Sequence, residues 1–150
     1  MHRRQILLEV IVSLLVLLFL YASISKFLDF QTFIKETNNQ PLPNSWTPFL
    51  VWGIPFTEVA ISLTLLFERT RLLGLYGSLV LMGVFSIYAI IILLHAFRYI
   101  PCSCGGIIKR LTWRQHLVLN LFFVSLSIVG IIIQRRKTVP PIITPKKFSK

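Results

Sequence analysis

Four long, nearly uncharged stretches constrain this chain more than any other feature. They cover residues of about 6–25, 49–67, 72–95 and 116–134. A bilayer core of ~30 Å takes about 20 predominantly apolar residues at ~1.5 Å rise each, so every stretch is long enough, or nearly so, to cross a membrane. Inside hydrocarbon the backbone N–H and C=O groups must find partners within the protein, which makes each stretch a helix. Composition agrees: 55% of the 150 residues are hydrophobic and 14% charged, against roughly 25% charged in soluble domains. The expected fold class is all-α, a polytopic integral membrane four-helix bundle with the lipid bilayer as its first partner.

Arg3, Arg4 and the small residues of "YAS" give the first stretch some features of a secretory signal. Its apolar length exceeds the about 7–15 residues of a signal core, so it reads as a retained helix. One membrane domain over 1–134 and a basic tail over 135–150 follow from this division.

The formal net charge of +11 is first a topology signal. With four spans, the N-terminus, the turn holding Arg69 and Arg71, and the tail from Arg135 share one side and hold ten basic residues. The opposite side holds six: Lys26, Lys35, Arg98, Lys109, Arg110 and Arg114. The positive-inside rule places the richer side, with both termini, in the cytoplasm. The tail "RRKTVPPIITPKKFSK" follows a span directly, where basic residues meet anionic headgroups, so no nucleic-acid partner is expected.

After the first span, "KFLDFQTFIKE" places Phe27, Phe30, Phe33 and Ile34 near helical spacing, with Lys26, Asp29 and Lys35 left for water. That pattern predicts a short amphipathic helix in the membrane interface. Pro41, Pro43 and Pro48 mark the loop after it, and Trp46 and Trp52 are placed to anchor the second span. Pro55 predicts a kink in that span. "ERTR" is short enough to join the second and third spans only as a tight turn. Gly74 and Ser78, with Gly77 and Gly83 nearby, offer a small-residue face for close helix packing.

The chain's two cysteines, Cys102 and Cys104, stand one residue apart between the third and fourth spans, on the side opposite the termini. Disulfides persist outside the cytoplasm. A ring closed over so few residues gains little as a staple, because loop-closure benefit grows with loop size, whereas strained, exposed disulfides are the labile ones. Gly105 and Gly106 follow at once and leave the sulfurs accessible. The pair reads as a redox couple, against a bland alternative of two thiols or a passive bridge. A metal site is a third reading, since His95 and His116 bracket the same loop, although the spacing departs from the usual zinc pattern.

Two further residues stand out. Glu58 lies in the middle of the second span, where a carboxylate costs on the order of 3 kcal/mol, so it is expected to face the bundle interior. It could contact a quinone-like ligand or carry protons, or it could make a structural hydrogen bond to Asn120, Ser78 or Tyr88. Trp113, His116 and Asn120 share one helical face. His116 could promote ionisation of a neighbouring thiol or shuttle protons, or simply sit at the helix start among headgroups. Glu9, close to a span's end, is expected at the interface.

The segments "LYASISKFLDFQTF", "IPFTEVAISLTLLFERTRLLG" and "PCSCGGIIKRLTWRQHLVLNLFF" resemble the DoxX/MauE group of redox-associated four-helix membrane proteins, with the Cys-x-Cys loop most like the MauE branch. Gly105 directly follows Cys104, where MauE-type loops often carry an aromatic residue first. The resemblance implies disulfide handling outside the cytoplasm for a thioredoxin-like or disulfide-containing client. In the MauE case that client is the small subunit of methylamine dehydrogenase. By position it points to Cys102 and Cys104 as the redox pair, with Glu58 and His116 assisting. A single pair cannot relay electrons to a second pair, which leaves soluble thioredoxin-like partners or a membrane quinone as candidate acceptors. A non-catalytic membrane subunit or assembly factor is the alternative.

Overall fold

The computed structural model describes residues 2–94 and 112–138. Cys102, Cys104, His95 and the basic tail beyond Thr138 lie outside the described residues. Among the described residues the chain forms five α-helices and no strand: α1 (His2–Leu28), α2 (Phe30–Asn38), α3 (Thr47–Leu66), α4 (Arg71–Leu93) and α5 (Trp113–Thr138). A single 3-10 turn, Asn44–Trp46, precedes α3. Helices α1, α3, α4 and α5 are each long and apolar enough to cross a membrane, as the sequence requires.

The helix ends are set by local chemistry. Asp29 leaves helical geometry, with φ −119° and ψ 51°, and separates α1 from the short α2. Pro48 sits in the first turn of α3, where its missing N–H removes no intrahelical bond. Farther along, α3 continues as one helix through the buried Pro55. Helix α5 starts three residues earlier than the expected 116 because Thr112 and Gln115 form a capping box. The Thr112 N–H donates to Gln115 Oε1 at 2.9 Å, and the Gln115 N–H reaches Thr112 Oγ1 at 3.5 Å. At its far end α5 runs past residue 134 into the first basic residues of the tail.

Side-chain contacts fix the order of the helices. Arg71, at the start of α4, meets Glu9 near the start of α1. Arg135, near the end of α5, lies over the Tyr76 ring of α4 at 5.5 Å. At the other end, Tyr88 of α4 packs edge-on against Trp113 of α5, with ring centroids 6.1 Å apart. The spans therefore alternate in direction, and both ends of the four-span path lie on the Arg71 side. The core is built from Leu8, Ile11, Leu15 and Phe19 of α1 with Leu65, Leu75 and Phe123 from the other three spans. Leu17, Phe49, Leu73, Val80 and Val118 point outward and are exposed, so the spans are apolar on both sides, as a lipid-bathed bundle must be.

Small residues set the spacing of α3 and α4. A Cβ on Gly74 would come within 2.9 Å of the Leu65 backbone nitrogen, and one on Gly77 within 3.1 Å of Ile61. Gly83 has nothing within 4 Å and takes no part. Buried serines are satisfied within their own helices: Ser62, Ser78, Ser86 and Ser127 each donate to the carbonyl four residues earlier, at 2.7–2.9 Å. These hydroxyls thus enter the bundle without needing a partner across it.

Candidate functional site

The site begins with Glu58. It stands on the inward side of α3, and only 2% of its surface is exposed. A carboxylate so placed needs an opposite charge. Its partner is Lys26, near the end of α1, whose Nζ donates to Glu58 Oε1 at 2.7 Å. This corrects two expectations from the sequence. Lys26 is not left for water but turned inward, with its side chain 11% exposed. The expected bonds from Glu58 to Asn120, Ser78 or Tyr88 are not made: Ser78 donates to Gly74 O and Tyr88 to Gln40 Oε1 at 2.5 Å. The physical reason is strength, since an ammonium offers a buried carboxylate a charge-assisted bond that neutral groups cannot match.

The second element is α2 and the loop after it. Phe33 and Thr37 are the buried side of α2, and Thr37 returns its hydroxyl to Phe33 O at 2.7 Å. The Phe33 ring lies 5.9 Å from Lys26 Nζ. Gln40 is buried and bound by the Tyr88 hydroxyl, which ties this loop to α4. Thr47 donates to Asn38 Oδ1 at 2.7 Å, closing the loop onto the start of α3. The amphipathic segment expected after the first span therefore packs down on the bundle as well as carrying polar groups outward.

Helix α5 supplies the third element. The capping box fixes its first turn, and His116 N–H bonds to Thr112 O at 3.0 Å. Trp113, His116 and Asn120, expected on one face, all line the same cavity. The Trp113 and His116 rings lie 6.2 Å apart.

Together these groups enclose a cavity of about 320 Å³ to which all four spans and the α2 segment contribute. Its walls are mainly apolar and aromatic, with Phe19, Phe33, Phe85, Tyr88 and Trp113 among them. Among the described residues its polar groups are few: Lys26, Glu58, His116, Gln40, Thr37 and Asn120, beside the hydroxyls of Tyr21 and Tyr88 and the Trp113 indole N–H. Two buried polar atoms there, Glu58 Oε2 and His116 Nε2, have no hydrogen-bond partner among the described residues. Such atoms are costly unless something else meets them. No group of three His, Cys, Asp or Glu side chains gathers as metal ligands among the described residues.

Of the four residues singled out in the sequence, the structure brings Glu58 and His116 to one cavity. Cys102 and Cys104 belong to the segment joining α4 to α5, outside the described residues. Lys26, Gln40 and the Thr112–Gln115 box were not found as site residues. Two of them left a trace: Lys26 is the cation directly abutting the first apolar run, the natural partner for a carboxylate in a span, and "TWRQ" matches a capping box. Gln40 left none.

No curated protein and no solved structure matches the chain. A family model described as methylamine utilisation protein MauE matches residues 4–133, which takes in all four spans, α2 and the segment carrying both cysteines. A match over that length, on a bundle of four membrane-spanning helices, shows that the chain belongs to the MauE family.

Proposed function

We propose that this chain serves methylamine utilisation as a membrane protein that handles disulfides outside the cytoplasm, by thiol-disulfide exchange at Cys102 and Cys104. The observation that carries the reading is the mainly apolar cavity into which Glu58 and His116 bring polar groups. It lies where α4 and α5 converge, the two helices that the cysteine-bearing segment connects. The family match across that segment supports it. Both termini are cytoplasmic in this reading, and the cysteine segment faces the oxidising side.

The exchange balances as follows. A client thiolate attacks the oxidised Cys102–Cys104 disulfide; that S–S bond breaks, a mixed disulfide forms, and the released cysteine sulfur takes up a proton. The client's second thiolate then attacks the mixed disulfide. The client leaves oxidised, and the chain keeps two thiols, having gained two electrons. With two cysteines in the chain, those electrons pass to a thioredoxin-like disulfide or a membrane quinone, which is reduced in turn. His116, at the cavity's edge of α5, is the group suited to carry a proton, because a neutral imidazole holds both a donor and an acceptor.

Single Cys102→Ser and Cys104→Ser variants test the reading. One of them should accumulate a covalent complex with an extracytoplasmic protein that reductant dissolves. If neither does, the exchange mechanism is wrong. A reduction potential below about −300 mV for the pair would instead assign a passive bridge in a non-catalytic assembly factor.

A further inference from the structure

The Lys26–Glu58 pair leaves a specific remainder. Lys26 is fully engaged: it donates to Glu58 Oε1 at 2.7 Å and to Ala22 O at 3.3 Å, and it faces the Phe33 ring. Glu58 Oε1 is therefore taken, while Oε2 is buried with no protein partner among the described residues. His116 Nε2 is a second buried atom in the same state, on the helix that forms another wall. The surrounding surface is too apolar to give a water its usual two to four partners throughout the space. We propose that the cavity is a binding site for a membrane-soluble ring compound bearing a hydroxyl or other hydrogen-bond donor, which donates a hydrogen bond to Glu58 Oε2.

Each part of that ligand class answers to a feature of the site. The donor answers to the open carboxylate oxygen, the strongest acceptor in the cavity. The flat ring answers to the aromatic walls, which favour stacked or edge-on ring contacts. The volume of about 320 Å³ lies within the roughly 300–1,000 Å³ of small-molecule sites. Entry from the bilayer answers to the outward exposure of Tyr21 and Val84, which line the cavity and also face outside the bundle. A membrane quinol is one member of the class. The inference rests on the cavity and not on the disulfide reading.

The test uses the full chain in phosphatidylcholine vesicles, labelled with a diazirine-bearing 4-alkylphenol and mapped by mass spectrometry. The competitors are 4-hexylphenol and hexylbenzene, which differ only in the hydroxyl. Labelling should fall on cavity-lining peptides of α1, α4 and α5. 4-Hexylphenol should displace it at a concentration about tenfold or more below that of hexylbenzene, tenfold being 1.4 kcal/mol. In the double variant Lys26→Met with Glu58→Leu, which removes both charges together, the gap should close. Ala22→Phe, and independently Leu119→Trp, should block labelling by filling the space. Equal competition in the unaltered chain would overturn the proposal, since the space would then take any lipophile. A gap that persists in the double variant would overturn it too, by removing Glu58 as the recognition group. A chain with both cysteines replaced by serine should bind the phenol unchanged, so the disulfide reading can fail while this one stands.

Discussion

The two ends of the bundle hold the same interaction in opposite settings. At the turn end, Arg71 Nη1 meets Glu9 Oε1 at 2.7 Å; at the cavity end, Lys26 Nζ meets Glu58 Oε1 at the same distance. Arg71 is buried at 6% side-chain exposure, but Glu9 is 54% exposed and keeps contact with the outside. Glu58 is buried, and its Oε2 has no partner among the described residues. Arg71 also donates from Nε to Leu65 O at 3.4 Å, spending its fork on the α3–α4 turn. Identical bond lengths thus conceal different purposes: the first pair clamps α1 to the start of α4, and the second shapes a cavity. Burial of the carboxylate, not the geometry of the bond, separates them.

Four changes would break or sharpen that contrast. The largest effect is expected from Lys26→Met, which strands a buried carboxylate and should destabilise the protein by about 3–5 kcal/mol. Adding Glu58→Leu should recover most of the loss, and thermal unfolding in detergent reads both. If Lys26→Met proves no worse than losing Glu9, burial does not distinguish the pairs. Gly74→Leu should come next, at about 1–3 kcal/mol, because the added side chain meets Leu65 backbone where α3 and α4 touch. Tyr88→Phe removes the bond to Gln40 and should lose about 1 kcal/mol. It should also raise protease sensitivity in the α2–α3 loop, which marks the cavity end as the one held by neutral latches. Smallest is Glu9→Gln, which leaves the buried Arg71 an acceptor and removes only the charge, at about 1 kcal/mol or less, fading as salt screens the exposed carboxylate. A large, salt-independent loss there would mean that both ends are sealed.

The inward turn of Lys26 also alters how the charge pattern is read. Lys26 and Arg71 were counted on opposite sides as loop cations, and each is committed to an ion pair. Each side loses one, so the excess of basic residues on the side of the termini keeps its sign. The helix after the first span was legible from its apolar spacing. Its inward-facing neighbour was not, because amphipathic periodicity assigns a lysine to water and says nothing of a carboxylate thirty-two positions later. Glu58 was legible as an anomaly, since a charge within a span is rare enough to demand a role. Its partner was not, because four spans offer several candidates and only packing selects among them. Gly74 and Ser78 were legible as a close-packing face, and Gly83 was not distinguishable from them until the helix rotation was known.

By itself the sequence determined the number of spans, their helical form and their alternating order. It did so because hydrocarbon leaves an apolar stretch of this length no other way to satisfy its backbone. It also marked Glu58 as a charge out of place within a span, and His116 as a candidate at the start of another. The tertiary structure decided that Lys26 neutralises Glu58, that His116 shares its cavity, and that one carboxylate oxygen is buried without a partner among the described residues. Those outcomes depend on the rotation of each helix about its axis and on its depth against its neighbours. Both are set by small residues and side-chain packing between distant segments, to which a local pattern is blind.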